Sequence, residues 1–193
     1  MPYLIDRAIP VGSFAGSGQP TLTVSGGALL RPWLISDADA VTEAFRDPAI
    51  QRWHVRRADS VDEARGWIQE WQRSWGEETA GHWAVADAQT GAPLGRMSLK
   101  AWNLTDGTAD IAYWMMPAAR GGGVCPRAVT ALANWALGEA GFHRLELEHS
   151  TANEASCRVA VKAGFADEGV RRGAALHADG WHDMHLHARV RQD

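Results

Sequence analysis

Three consecutive glycines, Gly121–Gly123, constrain the fold of this chain most strongly, because they separate a predicted strand from a predicted helix. Glycine loses more backbone entropy on folding than any other residue, so a run of three costs stability. The preceding segment, "DIAYWMMP", alternates as a strand does. The following helical segment has Pro126 in its first turn, where the missing N–H would lack a partner anyway. The chain therefore enters a helix through a turn that leaves backbone N–H groups open to a ligand.

A helix that begins after glycines is suited to binding an anion, because its free N–H groups and positive dipole end face a turn without side chains. Arg120 adds a guanidinium group beside this turn. A flexible connection without a ligand is the alternative, since glycine-rich turns are common. The turn matches neither common nucleotide loop: the chain has no GK dipeptide, and Pro126 stands where G-x-G-x-x-G needs a glycine.

The composition is that of an ordinary globular protein, with 46% apolar and 22% charged residues in a chain of 193. A net charge of −4 gives no reason to expect a nucleic-acid partner. Two cysteines cannot build a disulfide framework. We find neither the pattern of a signal peptide nor an apolar run long enough for a membrane span. The sequence thus predicts a cytoplasmic protein with no membrane partner.

The order of the predicted elements indicates the fold class. Residues 1–20, rich in Gly, Ser and Pro, predict an N-terminal arm or extension, and residues 21–193 a single domain. The strand "ALLRPW" precedes two amphipathic helices with Ser36 and Ser60 as predicted N-caps. Three strands, a helix ending at Gly141, a strand, a helix and one or two strands follow. This order predicts an α/β (α+β) fold, with a mixed, mostly antiparallel sheet of about seven strands and helices on both faces.

Several segments together resemble the GCN5-related N-acetyltransferases (GNAT). The loop "RGGGVC" is similar to the family's R/Q-x-x-G-x-G/A loop, with Cys125 in place of the usual small residue. "NEASCRVAVKAGF" resembles its N-x-x-S…K-x-GF segment. "LLRPWLISDADAV", "DIAYWMMP" and "GWHDMHLHARV" resemble its opening, cofactor-binding and last strands. These matches run in order over residues 28–190, and the nearest branch is the ribosomal-protein alanine N-acetyltransferases.

The resemblance implies that acetyl-CoA is the co-substrate and that the glycine turn holds its pyrophosphate. Two methionines at the end of the preceding strand would edge the pantetheine arm, which pairs like an added strand. Lys162 would reach the adenosine phosphate, although a solvated surface lysine is the alternative. The implied cofactor-binding residues are Met115, Met116, Arg120, Gly121, Gly122, Gly123, Val124, Cys125, Arg127, Asn153, Ser156 and Lys162.

Acetyl transfer from a thioester to an amine needs a base for the amine, a donor for the oxyanion and a proton for the thiolate. The resemblance implies that Ser156 protonates the thiolate; a serine bonded to its own helix is the alternative. The base stays open, because Ala175 stands where the resembled branch has a glutamate. Asp110, His149 and His177 are the candidates, with a structural role for Asp110 equally open.

The acceptor pocket in the resembled family is framed by the two helices that follow the opening strand. Trp53, His54 and Trp71 are therefore the candidate acceptor residues. Trp71 also belongs to a stripe at helical spacing with Trp67 and Trp75, and such a stripe equally fits core packing.

The sequence predicts an N-acetyltransferase that moves an acetyl group from acetyl-CoA to a primary amine in a ternary complex. The amine belongs to a small molecule or to a peptide or protein N-terminus, and the net charge is compatible with a cationic acceptor. Transfer from another acyl-CoA and a catalytically silent CoA-binding or interaction domain are the alternatives. Both a monomer and a homodimer fit. His177, His182, His185 and His187 suggest a metal site, which needs three or four convergent ligands and a supporting second shell. Solvated or packed histidines are the preferred interpretation, and no metal is expected.

Overall fold

One eight-stranded sheet organises the computed structural model, which describes residues 4–191. The strands are β1 (Leu22–Val24), β2 (Ala28–Pro32), β3 (Gly81–Asp87), β4 (Pro93–Asn103), β5 (Thr108–Met115), β6 (Arg144–Ser150), β7 (Ala166–His177) and β8 (Gly180–Val190). The helices are α1 (Ala38–Ala44), α2 (Pro48–Gln51), α3 (Val61–Gly76), α4 (Val124–Leu137) and α5 (Glu154–Lys162). The predicted fold class is confirmed, with eight strands in place of about seven.

The strand order across the sheet is β1-β2-β3-β4-β5-β6-β8-β7. Every neighbouring pair is antiparallel except β5 and β6, which are parallel. The extra strand is β1, three residues that pair with β2 and are too short to show an alternating pattern.

The two faces of the sheet are covered by different helices. Trp71 and Ile68 of α3 pack with Ala84 of β3 and Trp114 of β5 in one cluster. The other cluster joins α4 and α5 to the opposite face, and includes Val85, Met97, Leu99, Ile111, Leu132, Leu147 and Ala160. Alternation along β3, β4 and β5 divides the side chains between these two layers.

The predicted helix ends are confirmed in part. The Ser60 hydroxyl accepts the N–H of Glu63 at 3.2 Å and caps α3 as predicted. Ser36 as an N-cap is wrong: Ile35–Asp37 forms a 3₁₀ turn, and the Asp37 carboxylate, paired with Arg31, accepts the Leu34 N–H. Helix α4 also ends before the predicted glycine, because Gly138 interrupts it and its last carbonyls accept N–H groups from residues 140 and 142.

The N-terminal segment, residues 4–20, contains neither helix nor strand but packs against the sheet. Ile9 and Phe14 are buried in the core. The Glu78 carboxylate accepts backbone N–H groups from Gly12 and Phe14, each at 2.7 Å. Within residues 4–191, no helix is both long and apolar enough to cross a bilayer.

Candidate active site

A cavity opens where two strands of the sheet separate. β5 and β6 pair only through Thr108–Asp110 and Arg144–Glu146, and beyond these residues they diverge. The cavity between them has a volume of about 700 Å³ and extends from the start of α4 to the turn after α2. Because the ladder stops, the inner edge of β5 can pair with an extended ligand.

The glycine turn forms one end of this cavity. Gly121 and Gly123 have φ values of +83° and +72°, in the left-handed region that glycine adopts without strain. A Cβ at Gly121 or Gly122 would meet no other atom within 4 Å, so the space above the turn is open. Gly123 is the N-cap of α4, a helix of 14 residues whose first N–H groups have no intrahelical acceptor. The turn therefore has the geometry of an anion site.

Two arginines near the turn have different surroundings. Arg120 lines the cavity, forms an ion pair with Asp47 and donates from Nε to the Met115 carbonyl at 3.0 Å. Arg127 lies outside the cavity wall, because its guanidinium donates to the carbonyls of Ser25 and Gly122. The first arginine is thus placed to contact a bound anion, while the second holds the turn in position.

The two methionines point to opposite sides of β5. Met115 lines the cavity. Met116 instead lies against α1 beside Thr42, and its N–H donates to the Leu94 carbonyl at 2.9 Å. Gly122 is likewise outside the cavity wall, whereas Gly121, Gly123 and Val124 are part of it.

Helix α5 brings a hydroxyl pair to the cavity. Asn153 caps this helix by accepting the Ser156 N–H at 3.2 Å, and both residues line the cavity. The hydroxyl oxygens of Ser156 and Tyr113 lie 2.7 Å apart. Burial raises the pKa of Tyr113, so its phenol stays protonated at neutral pH. The pair therefore carries protons that can be donated to a developing anion.

Cys125 and Lys162 complete the cofactor residues predicted from the sequence. Both line the cavity. Burial raises the pKa of the Cys125 thiol to about 12, so this side chain presents a neutral sulfur at neutral pH. Lys162 is exposed, at the end of α5.

The opposite end of the cavity contains two of the three predicted acceptor residues. Trp53 and His54 line it. The His54 ring bonds the Ile50 carbonyl through Nδ1 at 2.7 Å, and burial lowers the pKa of this histidine. Trp71 is buried beneath the cavity and does not line it. Its ring supports Arg96, whose guanidinium carbon lies 4.7 Å from the ring centroid.

Arg96 was not predicted from the sequence, yet it is held rigidly in the cavity wall. Its Nε donates to the Ser98 hydroxyl at 2.7 Å, and that hydroxyl shares a hydrogen bond of 2.9 Å with Nδ1 of His82. Burial, followed by the charge of Arg96, lowers the pKa of His82 to about 2, so this ring stays neutral beside the guanidinium. Burial lowers the pKa of Arg96 to about 10, and the guanidinium stays charged. Among residues 4–191, no carboxylate forms an ion pair with it.

The candidate bases occupy three different environments. Asp110 lies outside the cavity wall, 3.5 Å from the Lys100 ammonium. His149 contributes to the wall, but its Nδ1 bonds the Ser150 carbonyl at 2.8 Å and burial lowers its pKa. His177 lines the cavity near Trp53.

The carboxylate that does line the cavity is Glu148, which sequence reasoning missed. Within residues 4–191, it is the only aspartate or glutamate in the wall. It accepts an N–H from Arg171 at 2.9 Å through one oxygen. Alternation along "RLELEHS" places Glu148 on the other face of β6 from His149, and this was the available signal. Ala175 lies on β7 opposite His182.

The comparisons with known proteins agree with this geometry. The family model described as an acetyltransferase (GNAT) domain matches residues 28–166. The uncharacterized N-acetyltransferase YoaA of Bacillus subtilis is 25% identical over 75% of this chain and 82% of its own length. The probable N-acetyltransferase YjcK of the same organism is 28% identical over 85% of this chain and 94% of its own length. The solved structure of RimL, a ribosomal L7/L12 alpha-N-protein acetyltransferase in complex with coenzyme A, aligns with a TM-score of 0.82. It shares 21% identity over 89% of this chain and 98% of its own.

A strand pair that opens onto a glycine-fed helix is compatible with an acyl-CoA-dependent transferase, and the family match shows that this is the class of the protein. The chain belongs to the GNAT acetyltransferase family. The predicted family, with its likeness to ribosomal-protein acetyltransferases, is confirmed, and acetyl-CoA is the co-substrate. The individual site residues stay predictions.

Proposed function

We propose that this enzyme acetylates the amine of an acceptor that also carries an anionic group, such as an amino acid or an acidic peptide N-terminus. The cavity between β5 and β6 is the main support for this proposal, because it extends from the glycine turn and most of the charged side chains in its wall are cationic. Five cationic side chains and one carboxylate line it: Arg96, Lys100, Arg120, Arg158, Lys162 and Glu148. Arg120 and Lys162 belong to the proposed coenzyme A end, and Lys100 and Arg158 are paired with Asp110 and Glu154. Arg96, which has no carboxylate partner among the described residues, is therefore the cation that favours an anionic acceptor over a cationic one.

Acetyl-CoA would occupy the cavity with its phosphates at the glycine turn and its pantetheine along the free edge of β5. The open space above Gly121 and the free N–H groups at the start of α4 support this orientation. Arg120 would exchange its bond to the Met115 carbonyl for a phosphate, because a guanidinium binds phosphate more strongly than a neutral carbonyl. The thioester would then lie near Ser156, in the cavity between the diverging strands.

Three groups would divide the chemistry. Glu148 takes a proton from the amine, directly or through a water, since it is the carboxylate within reach of the cavity. A backbone N–H on the free edge of β5 donates to the tetrahedral oxyanion. The Ser156 hydroxyl, bonded to Tyr113, gives a proton to the departing thiolate. The amine attacks the thioester directly, so no acyl-enzyme forms.

The Ser156→Ala variant tests the proton donor. We expect kcat to fall about 100-fold, at the low end of the range for acid–base groups, because water can partly replace the hydroxyl. The KM for acetyl-CoA should change little, since the phosphates bind elsewhere. Steady-state kinetics measure both constants, with Tyr113→Phe as the companion variant and a smaller expected loss. An unchanged kcat in Ser156→Ala would remove this serine from the mechanism.

Arg96 would select the acceptor by binding its anionic group. Its Nη nitrogens make no hydrogen bond among the described residues, while its Nε is fixed by Ser98 and its face by Trp71. A charged donor fixed in this way is preorganised for a carboxylate. The amine of the same acceptor would then face Glu148 across the cavity.

The Arg96→Gln variant tests this role. We expect the KM for an acid-bearing acceptor to rise roughly 10- to 100-fold, the value of a hydrogen bond to a charged group. The KM for the matched neutral acceptor and for acetyl-CoA should stay the same. An equal rise in KM for acidic and neutral acceptors would show that Arg96 supports the fold and does not bind the anionic group of the acceptor.

A cytoplasmic location and a monomeric or homodimeric state stay predictions. Transfer from a longer acyl-CoA is the second candidate activity, and the cavity volume of about 700 Å³ favours testing it with propionyl-CoA and succinyl-CoA beside acetyl-CoA.

A further inference from the structure

Three histidines and a cysteine converge on the α5 side of the sheet, and the proposed reaction uses none of them as a group. They are His149, Cys157, His185 and His187, hereafter the His₃Cys cluster. One donor atom from each lies within 4.8 Å of every other. His149 and His187 are 5% and 1% exposed, and Cys157 and His185 are half-buried.

The sheet register explains how residues distant in sequence meet here. His185 and His187 are two apart on β8, so their side chains share one face. His149 of β6 lies directly opposite His185 in the antiparallel ladder. Cys157 comes from α5, and its sulfur lies 4.0 Å from Nδ1 of His185. His177 and His182, the other histidines near the C-terminus, lie outside the cluster and pack together near Trp53.

The hydrogen bonds around the cluster leave at least one nitrogen of each imidazole without an oxygen partner. Nδ1 of His149 is bonded to the Ser150 carbonyl, and its Nε2 is buried without a partner. Nε2 of His185 contacts the Asp167 carboxylate at 2.9 Å, which directs Nδ1 toward Cys157. Both ring nitrogens of His187 are buried without a hydrogen-bond partner. Buried polar atoms without partners are unfavourable, and native proteins rarely leave several together.

We propose that the His₃Cys cluster binds a divalent transition-metal ion, with zinc as the preferred metal. Three imidazole nitrogens and a thiolate form a ligand set that suits zinc in four-coordinate, tetrahedral geometry. Zn–N and Zn–S bonds of ordinary length place such ligands about 3.3 to 3.6 Å apart, so the widest separation closes by about 1 Å on binding. Asp167 supplies the carboxylate that commonly orients a metal-bound histidine.

The bound ion would be structural. With all four positions filled by protein, no site stays open for a substrate. It would tie α5 to β6 and β8, and α5 carries Ser156 immediately before Cys157. Metal binding would therefore fix the turn of α5 that carries the proposed proton donor.

The test uses the full-length, untagged protein. After treatment with a chelator, we expect Co²⁺ to bind in one equivalent with the intense visible absorption of a tetrahedral site and a thiolate-to-cobalt charge-transfer band. Zn²⁺ should displace it and raise the melting temperature. Metal analysis of the protein purified without added metal gives the occupancy on isolation.

Two variants and a matched control assign the ligands. Cys157→Ser should remove the charge-transfer band, while Cys125→Ser, the other cysteine, should keep it. Asp167→Asn should weaken zinc binding about 10- to 100-fold, as expected for a residue that orients a ligand. Because Asp167 is exposed, this variant stays informative even if Cys157→Ser fails to fold.

Absence of stoichiometric cobalt and zinc binding in the folded wild type would overturn the proposal. Loss of the charge-transfer band in Cys125→Ser and its retention in Cys157→Ser would overturn it as well. Both readouts are independent of acetyl transfer, so they hold whether or not the proposed reaction is correct.

Discussion

The Gly123→Asp variant is expected to lose at least about 100-fold in affinity for coenzyme A, or ~2.7 kcal/mol of binding free energy. The φ of +72° at this N-cap position is one that aspartate tolerates better than most residues. A Cβ at Gly123 would lie 2.9 Å from Nη1 of Arg127, the end of a flexible side chain that can shift, so the fold should survive. The new carboxylate would accept the free N–H groups at the start of α4, as capping aspartates do. It would thereby occupy the place of the pyrophosphate and repel it. Calorimetric titration with coenzyme A measures the loss.

Gly91→Asp is the matched control for this variant. Gly91 lies in the turn between β3 and β4 with a φ of +73°, and a Cβ there would meet nothing within 4 Å. Its backbone strain on substitution is therefore similar, but Gly91 does not line the cavity. We expect normal coenzyme A affinity in Gly91→Asp. Normal affinity in a folded Gly123→Asp would contradict the assignment of the glycine turn to the phosphates.

The Glu148→Gln variant is expected to lower kcat about 100- to 10,000-fold, the range found for positioned acid–base groups. Glutamine keeps the shape of the side chain but cannot take a proton from the amine. The lost ion pair with Arg171 is exposed, so stability should change by no more than ~1 kcal/mol. Steady-state kinetics, with calorimetry for coenzyme A, separate a catalytic loss from a binding loss.

Asp110→Asn and His149→Gln distinguish the other candidate bases. Asp110 is paired with Lys100 outside the cavity wall, and we expect its variant to keep most of the activity. His149 directs its free nitrogen into the His₃Cys cluster, so its variant should affect stability more than the pH dependence of kcat. If the Glu148→Gln enzyme is as fast as wild type and the Asp110→Asn enzyme is inactive, the base is Asp110 on β5 and not Glu148 on β6.

The fold was largely predictable from local signals. The glycine turn with Pro126, the Ser60 cap and the alternation of β3 to β6 each act over a few residues, and sequence reasoning found them. The sequence-based predictions were wrong or incomplete where contacts between residues distant in sequence determine the local structure. Ser36 does not cap α1 because Arg31 of β2 holds the Asp37 carboxylate, which accepts the Leu34 N–H and fixes a 3₁₀ turn over Ile35–Asp37. Strand β1 forms because β2 provides its partner.

The glycine end of the candidate cavity was predictable from the sequence, whereas the acceptor end was predictable only in part, since Trp53 and His54 line it but Arg96 and Glu148 were missed. The glycines and the start of α4 are contiguous in sequence, so an anion site at this turn can be predicted without a structure. Arg96, Tyr113 and Glu148 come from three strands, and only the divergence of β5 and β6 shows that they share one cavity. The His₃Cys cluster depends on the register between β6 and β8, which no local pattern specifies.

The most direct test of the proposed function is the kcat/KM of the wild-type enzyme for matched acceptors, followed by thiol release from acetyl-CoA and mass spectrometry of the product. The panel pairs amino acids and peptides ending in an acidic residue with their neutral amides, and adds polyamines. We predict that acid-bearing amines are acetylated at least about 10-fold more efficiently than their neutral partners, the factor that corresponds to one charged hydrogen bond. A preference for polyamines, or tight coenzyme A binding without acetylation of any amine, would contradict the proposed function.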